Sequence, residues 1–349
     1  MRLPTLITTL PADRLRVLPL VVMYITDGCN SRCVTCDIWK LPRRNMDMAL
    51  VRRLVTEFQA LDVRQVVLSG GEAMQHPEWP RIAEMFRNVG IKVMLLTNGL
   101  ALKKQVREVI DNVDGLTVSL DGGTSETYRA IRGVDVLPAI LEGMQAAAAG
   151  GVPITTRTTV QRGNYREMPL IVDIAKEAGV KKVSFLAVDV SNTVAFGPRF
   201  DETGHPAAAI HVAPGPALTR TDLPEFARIL DHLEHTHTAD FKSGLIAESP
   251  MKLWRLHRYF MAVNGMAEFE GPNCNAPHIS TVIEVDGTLR PCFFLPAMGK
   301  FKGESLEEDI NSPQALDLRR AYRTGERAEC TRCVCPLHSS ARALRNGIQ

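Results

Sequence analysis

The feature that most restricts the fold is a repeated alternation of short apolar segments with longer amphipathic ones between residues 18 and 190. The short segments resemble buried strands, and the longer ones carry apolar residues at helical spacing. This alternation predicts an α/β fold with a parallel sheet wound by right-handed crossovers. The predicted strands are residues 18–25, 64–68, 91–96, 116–120, 155–160 and 182–188. The predicted helices are residues 46–60, 79–89, 102–110, 137–149 and 165–178.

Composition and charge describe an ordinary globular protein. Its 349 residues are 45% hydrophobic and 23% charged, enough for one barrel of about 200 to 250 residues and a smaller module. Lys and Arg number 41 against 39 Asp and Glu, so no broad basic surface for nucleic acid is expected. No window approaches the ~18 consecutive apolar residues of a membrane span. Prolines, an aspartate and arginines interrupt the N-terminal stretch, which is a poor signal peptide, and we expect a cytoplasmic protein.

The eight cysteines fall into two groups. Three lie at residues 29–36 and five at residues 274–335, with none between. In a chain without an export signal, cysteines indicate a reducing compartment and metal ligation rather than disulfides. Two groups of ligands therefore predict two metal sites.

The first group has a C-x3-C-x2-C spacing formed by Cys29, Cys33 and Cys36. It follows the first predicted strand, and barrels place their chemistry at the C-terminal ends of strands. Three thiolates on one loop can hold three corners of an iron–sulfur cube and leave the fourth iron open. An open position suits a metal that must activate a ligand, although the same cysteines could belong to a zinc site.

At these residues the sequence resembles the radical S-adenosylmethionine (radical SAM) superfamily. The resemblance implies a partial (β/α)6 barrel like an open TIM barrel. It also implies a 4Fe-4S cluster whose free iron is chelated by the amino and carboxylate groups of SAM. One electron then cleaves SAM to methionine and a 5′-deoxyadenosyl radical. Thr35 replaces the aromatic residue that commonly precedes the third cysteine in the family, and Trp39 is a candidate substitute for its adenine contact.

The second predicted strand is followed by Gly70, Gly71 and Glu72, which resemble the family motif that binds the SAM amino group largely through backbone atoms. Glycines let the main chain approach a ligand closely. Ala73 stands where the family usually has proline. The third strand ends near Asn98, a further candidate cofactor contact.

Polar residues also mark the ends of the later strands. Ser119 and Asp121 alternate by two and share a face, as a pair bonding ribose hydroxyls requires, although an Asx turn would explain them as well. Arg157 lies in a buried strand and needs an anionic partner, which is the SAM carboxylate by family resemblance or an internal carboxylate. Asp189 follows the sixth strand and is a candidate substrate contact.

The second cysteine group begins with Cys274 and Cys292, which bracket a predicted hairpin with an Asp-Gly turn. Cys330, Cys333 and Cys335 follow in a CxxCxC arrangement. The pattern resembles the twitch module, a shortened SPASM domain that carries one auxiliary 4Fe-4S cluster. The resemblance favours the first four of these cysteines as ligands and leaves Cys335 spare or exchanging roles. A structural zinc site is the alternative.

These patterns predict a domain order. An N-terminal strap (1–17) precedes the barrel (18–190), a lid loop and helical linker (191–265), and a twitch or SPASM-like module of a hairpin and helices (266–349). The lid is predicted because periodicity is lost while glycine and proline recur, and long loops are usually functional or mobile.

The predicted function is hydrogen abstraction from a small-molecule substrate, with oxidation through the auxiliary cluster. An electron donor such as flavodoxin or ferredoxin would supply the cluster. One alternative is a redox-neutral epimerase with Cys335 as hydrogen donor; others are a peptide-modifying enzyme and a non-catalytic metal-binding assembly factor. We expect no leader-binding domain ahead of the barrel, and this expectation favours a small molecule over a ribosomal peptide as the substrate.

Overall fold

The computed structural model describes residues 13–190, 215–335 and 337–339, and its centre is one sheet of nine strands. The strand order is β6-β5-β4-β3-β2-β1-β7-β8-β9. The first six strands are parallel neighbours in chain order. Successive crossovers carry helices, so the predicted α/β fold class is confirmed. The predicted strap and lid fall largely on residues 1–12 and 191–214, outside the described residues.

The bounds of the first six strands agree with the predicted ones to within two residues at each end. All seven residues of the first strand are buried, as expected when helices cover both faces of a parallel sheet. The strands are β1 (Leu20–Thr26), β2 (Gln65–Gly70), β3 (Lys92–Thr97), β4 (Gly115–Ser119), β5 (Ile154–Val160), β6 (Lys182–Ala187), β7 (Ser280–Ile283), β8 (Thr288–Arg290) and β9 (Gly299–Lys300).

The longer helices bury an apolar face. They are α1 (Met48–Ala60), α2 (Trp79–Asn88), α3 (Val106–Asn112), α4 (Ser125–Arg132), α5 (Leu137–Ala149), α6 (Met168–Glu177), α7 (Leu223–Thr236), α8 (Thr238–Ser243), α9 (Pro250–Val263), α10 (Ala276–Ile279), α11 (Leu306–Asp309), α12 (Pro313–Arg323) and α13 (Ala328–Thr331). Within the described ranges, none of them has the length and apolar character needed to cross a bilayer.

The sequence analysis missed helix α4. Its eight residues are mostly polar, and Tyr128 and Ile131 are the buried ones, so its apolar signal is short. Local signals do define it. The Thr124 hydroxyl caps the first turn by accepting from the Thr127 amide, and Gly133 ends the helix at φ +70°. Helix α4 delivers its C-terminal end to the cysteine loop.

The C-terminal hairpin extends the barrel sheet. Strand β7 pairs in parallel with β1, Leu20 opposite Ser280 and Met23 opposite Ile283, and β8 and β9 follow antiparallel. The sequence predicted the hairpin and its turn, but not this pairing, because pairing between distant segments leaves no local pattern. The second cysteine group is therefore built on the edge of the barrel beside β1.

Arg319 joins the start of the described chain to the C-terminal module. This side chain on α12 is fully buried, and its guanidinium donates to the backbone oxygens of Pro277, Asp13 and Ile310 at 2.9, 3.0 and 2.6 Å. Burial lowers its pKa to about 10, so it stays charged at neutral pH. Three carbonyls from separate segments thus share one cation.

Arg319→Met should lower the free energy of unfolding by about 3 kcal/mol, because three buried carbonyls lose their donor. Urea unfolding followed by circular dichroism measures the loss. Arg320→Met is the matched control. Arg320 is the next residue on the same helix and pairs with Asp317 at the exposed surface, where such pairs contribute at most about 1 kcal/mol. Equal unfolding midpoints for the two variants would contradict this account.

Candidate active site

The cysteine loop is fixed to the C-terminal end of helix α4. The amides of Arg32 and Val34 donate to the carbonyl oxygens of Arg132 and Ile131, each at 3.0 Å. A Cβ on Gly133 would lie 2.7 Å from the Arg32 oxygen, so this close contact requires glycine. The loop therefore occupies acceptors that the helix end leaves unpaired.

The two glycines at the C-terminal end of β2 are required by the close approach of the segment that leads into the cysteine loop. A Cβ on Gly70 would lie 2.2 Å from the Thr26 oxygen, and one on Gly71 would lie 2.4 Å from the Gly28 oxygen. The amides of Gly71 and Glu72 donate to those same oxygens at 2.8 Å. A SAM amino group is itself a donor, so the carbonyls of this segment, and not its amides, suit it.

Glu72 joins the ends of strands β2 and β3. Its buried carboxylate accepts from the Thr97 hydroxyl at 2.7 Å and from the amides of Asn98 and Met74 at 2.6 and 3.1 Å. Burial raises the pKa of Glu72, and these three donors oppose the rise. The glutamate of the motif therefore organises the strand ends around the cysteine loop.

Asn98 lies directly against the cysteine loop. Its side-chain amide donates to the Asn30 and Ser31 side chains at 2.8 and 3.1 Å, and its nitrogen is 4.0 Å from Cys29 Sγ. Its oxygen accepts from the Leu100 amide. The structure thus brings together the first cysteine group, the glycine segment and the end of β3, as predicted for one site.

The three thiols of the loop are free and partly buried. Burial raises the pKa of Cys29 and Cys33, and raises that of Cys36 to about 12. The charges of Cys33 and Cys29 raise the Cys36 pKa further. A metal cluster deprotonates its cysteine ligands, and three free thiols on one partly buried loop are ligands of the type that such a cluster binds.

The polar side chains at the ends of β4 and β5 differ in whether they already have hydrogen-bond partners within the protein. Asp121 is buried and accepts from the Thr159 amide at 2.7 Å and from Arg132 Nη1 at 3.1 Å. Ser119 and Arg157 are opposite each other in the β4–β5 register. The Nε of Arg157 is buried without a hydrogen-bond partner, a donor that an anion could satisfy.

Sequence reasoning did not identify Arg132. Its side chain is 13% exposed and forms an ion pair with Asp121, whose side chain is 4% exposed. Burial lowers the pKa of Arg132, but the charges of Asp121 and Cys33 outweigh this effect and raise it. An Arg-Gly pair after an amphipathic segment was the one available signal, and it is too short to separate a buried arginine from a surface one.

The second cysteine group supplies five free, partly buried thiols. Burial raises the pKa of Cys292 to about 12 and that of Cys330 to about 11, and Cys274 raises both further. Burial also raises the pKa of Cys333 and Cys335. Thiols are the ligand type that an iron–sulfur cluster binds.

A small cavity that is open to solvent lies between β6, α9 and the last cysteines. The side chain of Asp189 accepts a 3.4 Å hydrogen bond from the hydroxyl of Tyr259, which lines this cavity, and its charge acts on Cys333. The predicted substrate contact therefore lies between the barrel mouth and the second cysteine group. The cavity is lined by Ala187, Arg255, Leu256, Tyr259, Glu270, Cys333 and Val334.

Two family matches cover the two cysteine groups. Residues 23–173 match the radical SAM superfamily, and residues 274–334 match the SPASM iron–sulfur cluster-binding domain. The chain therefore contains a radical SAM domain and, at its C-terminal end, a SPASM domain. The first domain implies a 4Fe-4S cluster and SAM, and the second implies an auxiliary iron–sulfur cluster, which confirms the predicted cofactors.

Curated relatives match in sequence over part of their length. The AdoMet-dependent heme synthase of Methanosarcina barkeri (strain Fusaro / DSM 804) is 29% identical over 166 residues, 46% of this chain and 48% of that protein. The PqqA peptide cyclase of Streptomyces rochei is 28% identical over 182 residues, 51% of this chain and 49% of that protein. The chain spans about half the length of these relatives.

Solved structures match over nearly the whole chain. Streptococcus suis SuiB bound to S-adenosylmethionine superposes with a TM-score of 0.64 at 15% identity, covering 97% of this chain and 77% of that one. Native anSMEcpe with bound AdoMet and Cp18Cys peptide superposes with a TM-score of 0.62 at 17% identity, covering 93% and 92%. At these identities the likeness shows the fold alone.

Proposed function

We propose that Cys29, Cys33 and Cys36 hold the SAM-cleaving 4Fe-4S cluster, and that the enzyme removes a hydrogen atom from an unactivated carbon of a small molecule. The supporting observation is the convergence of three free thiols with the glycine segment and Asn98 at one end of the sheet. When bound, the cluster supplies the electron that cleaves SAM to methionine and a 5′-deoxyadenosyl radical.

The surrounding residues would bind and orient SAM. The carbonyls after β2 would receive its amino group, and Arg157 would receive its carboxylate because its Nε is buried and unpaired. Ser119 and Asp121 remain the predicted ribose contacts. Both oxygens of Asp121 already accept a hydrogen bond, but each carboxylate oxygen has a second lone pair for a ribose hydroxyl.

The second half of the proposal is oxidation through the auxiliary cluster. Asp189 would contact the substrate, because it accepts a hydrogen bond from Tyr259, which lines the cavity beside the second cysteine group. The 5′-deoxyadenosyl radical would take a hydrogen atom from the substrate, and an auxiliary cluster, when bound, would supply an acceptor for one further electron. With loss of a proton to solvent, this would balance as a two-electron oxidation that forms a double bond. The ligands we propose are Cys274, Cys292, Cys330 and Cys333.

Cys335→Ala should keep both the auxiliary iron and the formation of 5′-deoxyadenosine, because the other four thiols suffice for a cube. Cys333→Ala is the matched variant and should lose about four irons per chain. Colorimetric iron analysis and chromatography measure both quantities. Loss of iron from the Cys335 variant would make this residue a ligand. Full iron with 5′-deoxyadenosine but no product would identify it as the hydrogen donor of an epimerase.

A peptide substrate is the second candidate. The observation that favours it is that the similar structures include anSMEcpe with a bound peptide and SuiB bound to the precursor peptide SuiA. The two candidates differ in what stimulates SAM cleavage. If the substrate is a small molecule, SAM cleavage should be stimulated by a cell-extract fraction from which molecules above about the size of a dipeptide have been removed. If the substrate is a peptide, the peptide fraction of the extract should stimulate SAM cleavage instead.

The experiment that tests the proposal is reductive SAM cleavage. The protein is reconstituted anaerobically with iron and sulfide, reduced with dithionite or with reduced flavodoxin or ferredoxin, and incubated with SAM. We expect brown protein with about eight irons per chain and formation of 5′-deoxyadenosine. Colourless protein that holds zinc and leaves SAM intact would contradict the proposal and indicate the non-catalytic assembly factor.

A further inference from the structure

We propose that Arg132 is a positioning residue of the SAM-cleaving site: its buried guanidinium offsets the negative charge of the cysteine loop and raises the reduction potential of the cluster held there. This inference rests on the proposed ligation by Cys29, Cys33 and Cys36. It adds to that proposal a residue that lies outside the cysteine and glycine motifs.

The backbone of Arg132 brings the guanidinium to the loop. The Arg132 carbonyl accepts the Arg32 amide at 3.0 Å, one residue before Cys33. Gly133 adopts φ +70° and lies so close to the loop that no Cβ fits. The same residue therefore holds the loop through its backbone, while its side chain, which is 13% exposed, is buried next to Asp121.

The position of Arg132 at the C-terminal end of α4 explains why a positive charge is needed there. The C-terminal end of a helix carries partial negative charge, and here it faces a loop whose thiols become thiolates when they bind iron. Two loop amides cover part of that charge. A buried positive charge at the last residue of α4 offsets the remainder.

The ion pair with Asp121 does not satisfy all the hydrogen-bond donors of the Arg132 guanidinium. Asp121 accepts from Nη1 at 3.1 Å and is itself held by the Thr159 amide at 2.7 Å. The Nε of Arg132 is buried and has no hydrogen-bond partner. A guanidinium has five N–H donors, and leaving one buried and unpaired is costly. An acceptor in the loop or in its cluster would satisfy it.

The guanidinium also acts on all three thiols. Burial raises the pKa values of Cys29, Cys33 and Cys36, and the charge of Arg132 opposes the rise at each of them. At Cys33 it is the strongest influence after burial. The charge of Arg132 therefore favours the thiolate form of these cysteines, most strongly at Cys33.

The consequence is a dependence of electron transfer on this side chain. Reduction adds one electron, taken from an external reductant, to a site that is already anionic, and no bond forms or breaks in that step. In a partly buried site a nearby cation stabilises the added charge more than it would in water. Removing the cation should lower the reduction potential, and removing Asp121 should raise it.

The test is a redox titration of the reconstituted holoenzyme. Wild type, Arg132→Gln and Arg132→Lys are titrated with dithionite and mediators, and the EPR signal that changes on addition of SAM identifies the cluster. At the wild-type midpoint we expect the reduced-to-oxidised ratio of the glutamine variant to fall at least tenfold, which is a shift of at least 59 mV for one electron. The lysine variant should recover most of it.

Arg129→Gln is the matched control, because Arg129 lies on the same helix with its side chain 61% exposed, and its midpoint should not move. If Arg132→Gln does not fold or does not hold iron, the Asp121→Asn variant is titrated in its place. The midpoint potential of its SAM-sensitive cluster should be higher than that of the wild type. Unchanged midpoints in the iron-loaded variants would overturn the inference. Absence of a SAM-sensitive signal in the wild type would instead contradict the proposed cysteine ligation.

Discussion

Replacing Cys29, Cys33 and Cys36 together with alanine should abolish formation of 5′-deoxyadenosine while about four of about eight irons per chain remain. The reason is that these three thiols lie on one loop after β1, whereas the five other cysteines lie beyond residue 273, in and around the C-terminal hairpin. Iron analysis and chromatography of anaerobically reconstituted protein measure the two quantities.

The matched control changes Cys274, Cys292 and Cys330 to alanine. It should lose the auxiliary iron and keep a cluster whose EPR signal responds to SAM, because the strand ends that hold the cysteine loop do not involve these residues. Formation of 5′-deoxyadenosine by the first triple variant would refute the assignment of the SAM-cleaving cluster.

Gly71→Ala should weaken SAM binding about 30-fold, corresponding to about 2 kcal/mol of overpacking. The added Cβ would lie 2.4 Å from the Gly28 oxygen and 2.9 Å from the Asp27 oxygen, and both are backbone atoms of the segment that leads into the cysteine loop. Neither can move without displacing the loop. Isothermal titration of SAM into the reconstituted protein gives the dissociation constant.

Gly271→Ala is the control for this prediction. A Cβ at Gly271 would meet its nearest atoms at 3.6 to 3.9 Å, which is ordinary van der Waals contact. Its affinity for SAM should equal that of the wild type. An unchanged dissociation constant in the Gly71 variant would show that the close approach of the two strand ends does not shape the SAM site.

The barrel could be predicted from sequence because its signals are local. Each of the first six strands is a short apolar segment followed by an amphipathic one, and the motif residues stand directly after the strands. Parallel strands place those residues at one edge of the sheet, so Asn98 and the glycine segment meet the cysteine loop.

The remaining features depend on contacts between distant segments. The parallel pairing of β7 with β1 and the burial of Arg319 beneath the start of the described chain have no counterpart in local pattern. Arg132 is the clearest example at the site. In sequence it is one of several charged residues on a short helix, and only packing against the cysteine loop distinguishes it from the exposed Arg129.

Glu72 shows that a motif can be recognised from sequence although the structural role of its residues is not predicted. Sequence resemblance assigns its segment to SAM binding. In the structure its carboxylate accepts three hydrogen bonds that join β2 to β3, and the amides of Gly71 and Glu72 bind the carbonyls of the cysteine loop. The motif therefore builds the site through the protein's own backbone, and SAM is expected to meet the carbonyls that remain.

The measurement that tests the central claim most directly is the EPR spectrum of the reduced protein with and without SAM. The variant lacking Cys274, Cys292 and Cys330 is used, so that one cluster is observed. If Cys29, Cys33 and Cys36 leave one iron open to SAM, addition of SAM changes the g-values of that cluster, and 5′-deoxyadenosine forms. A spectrum that is unchanged by SAM, in protein that holds about four irons per chain, would contradict the account.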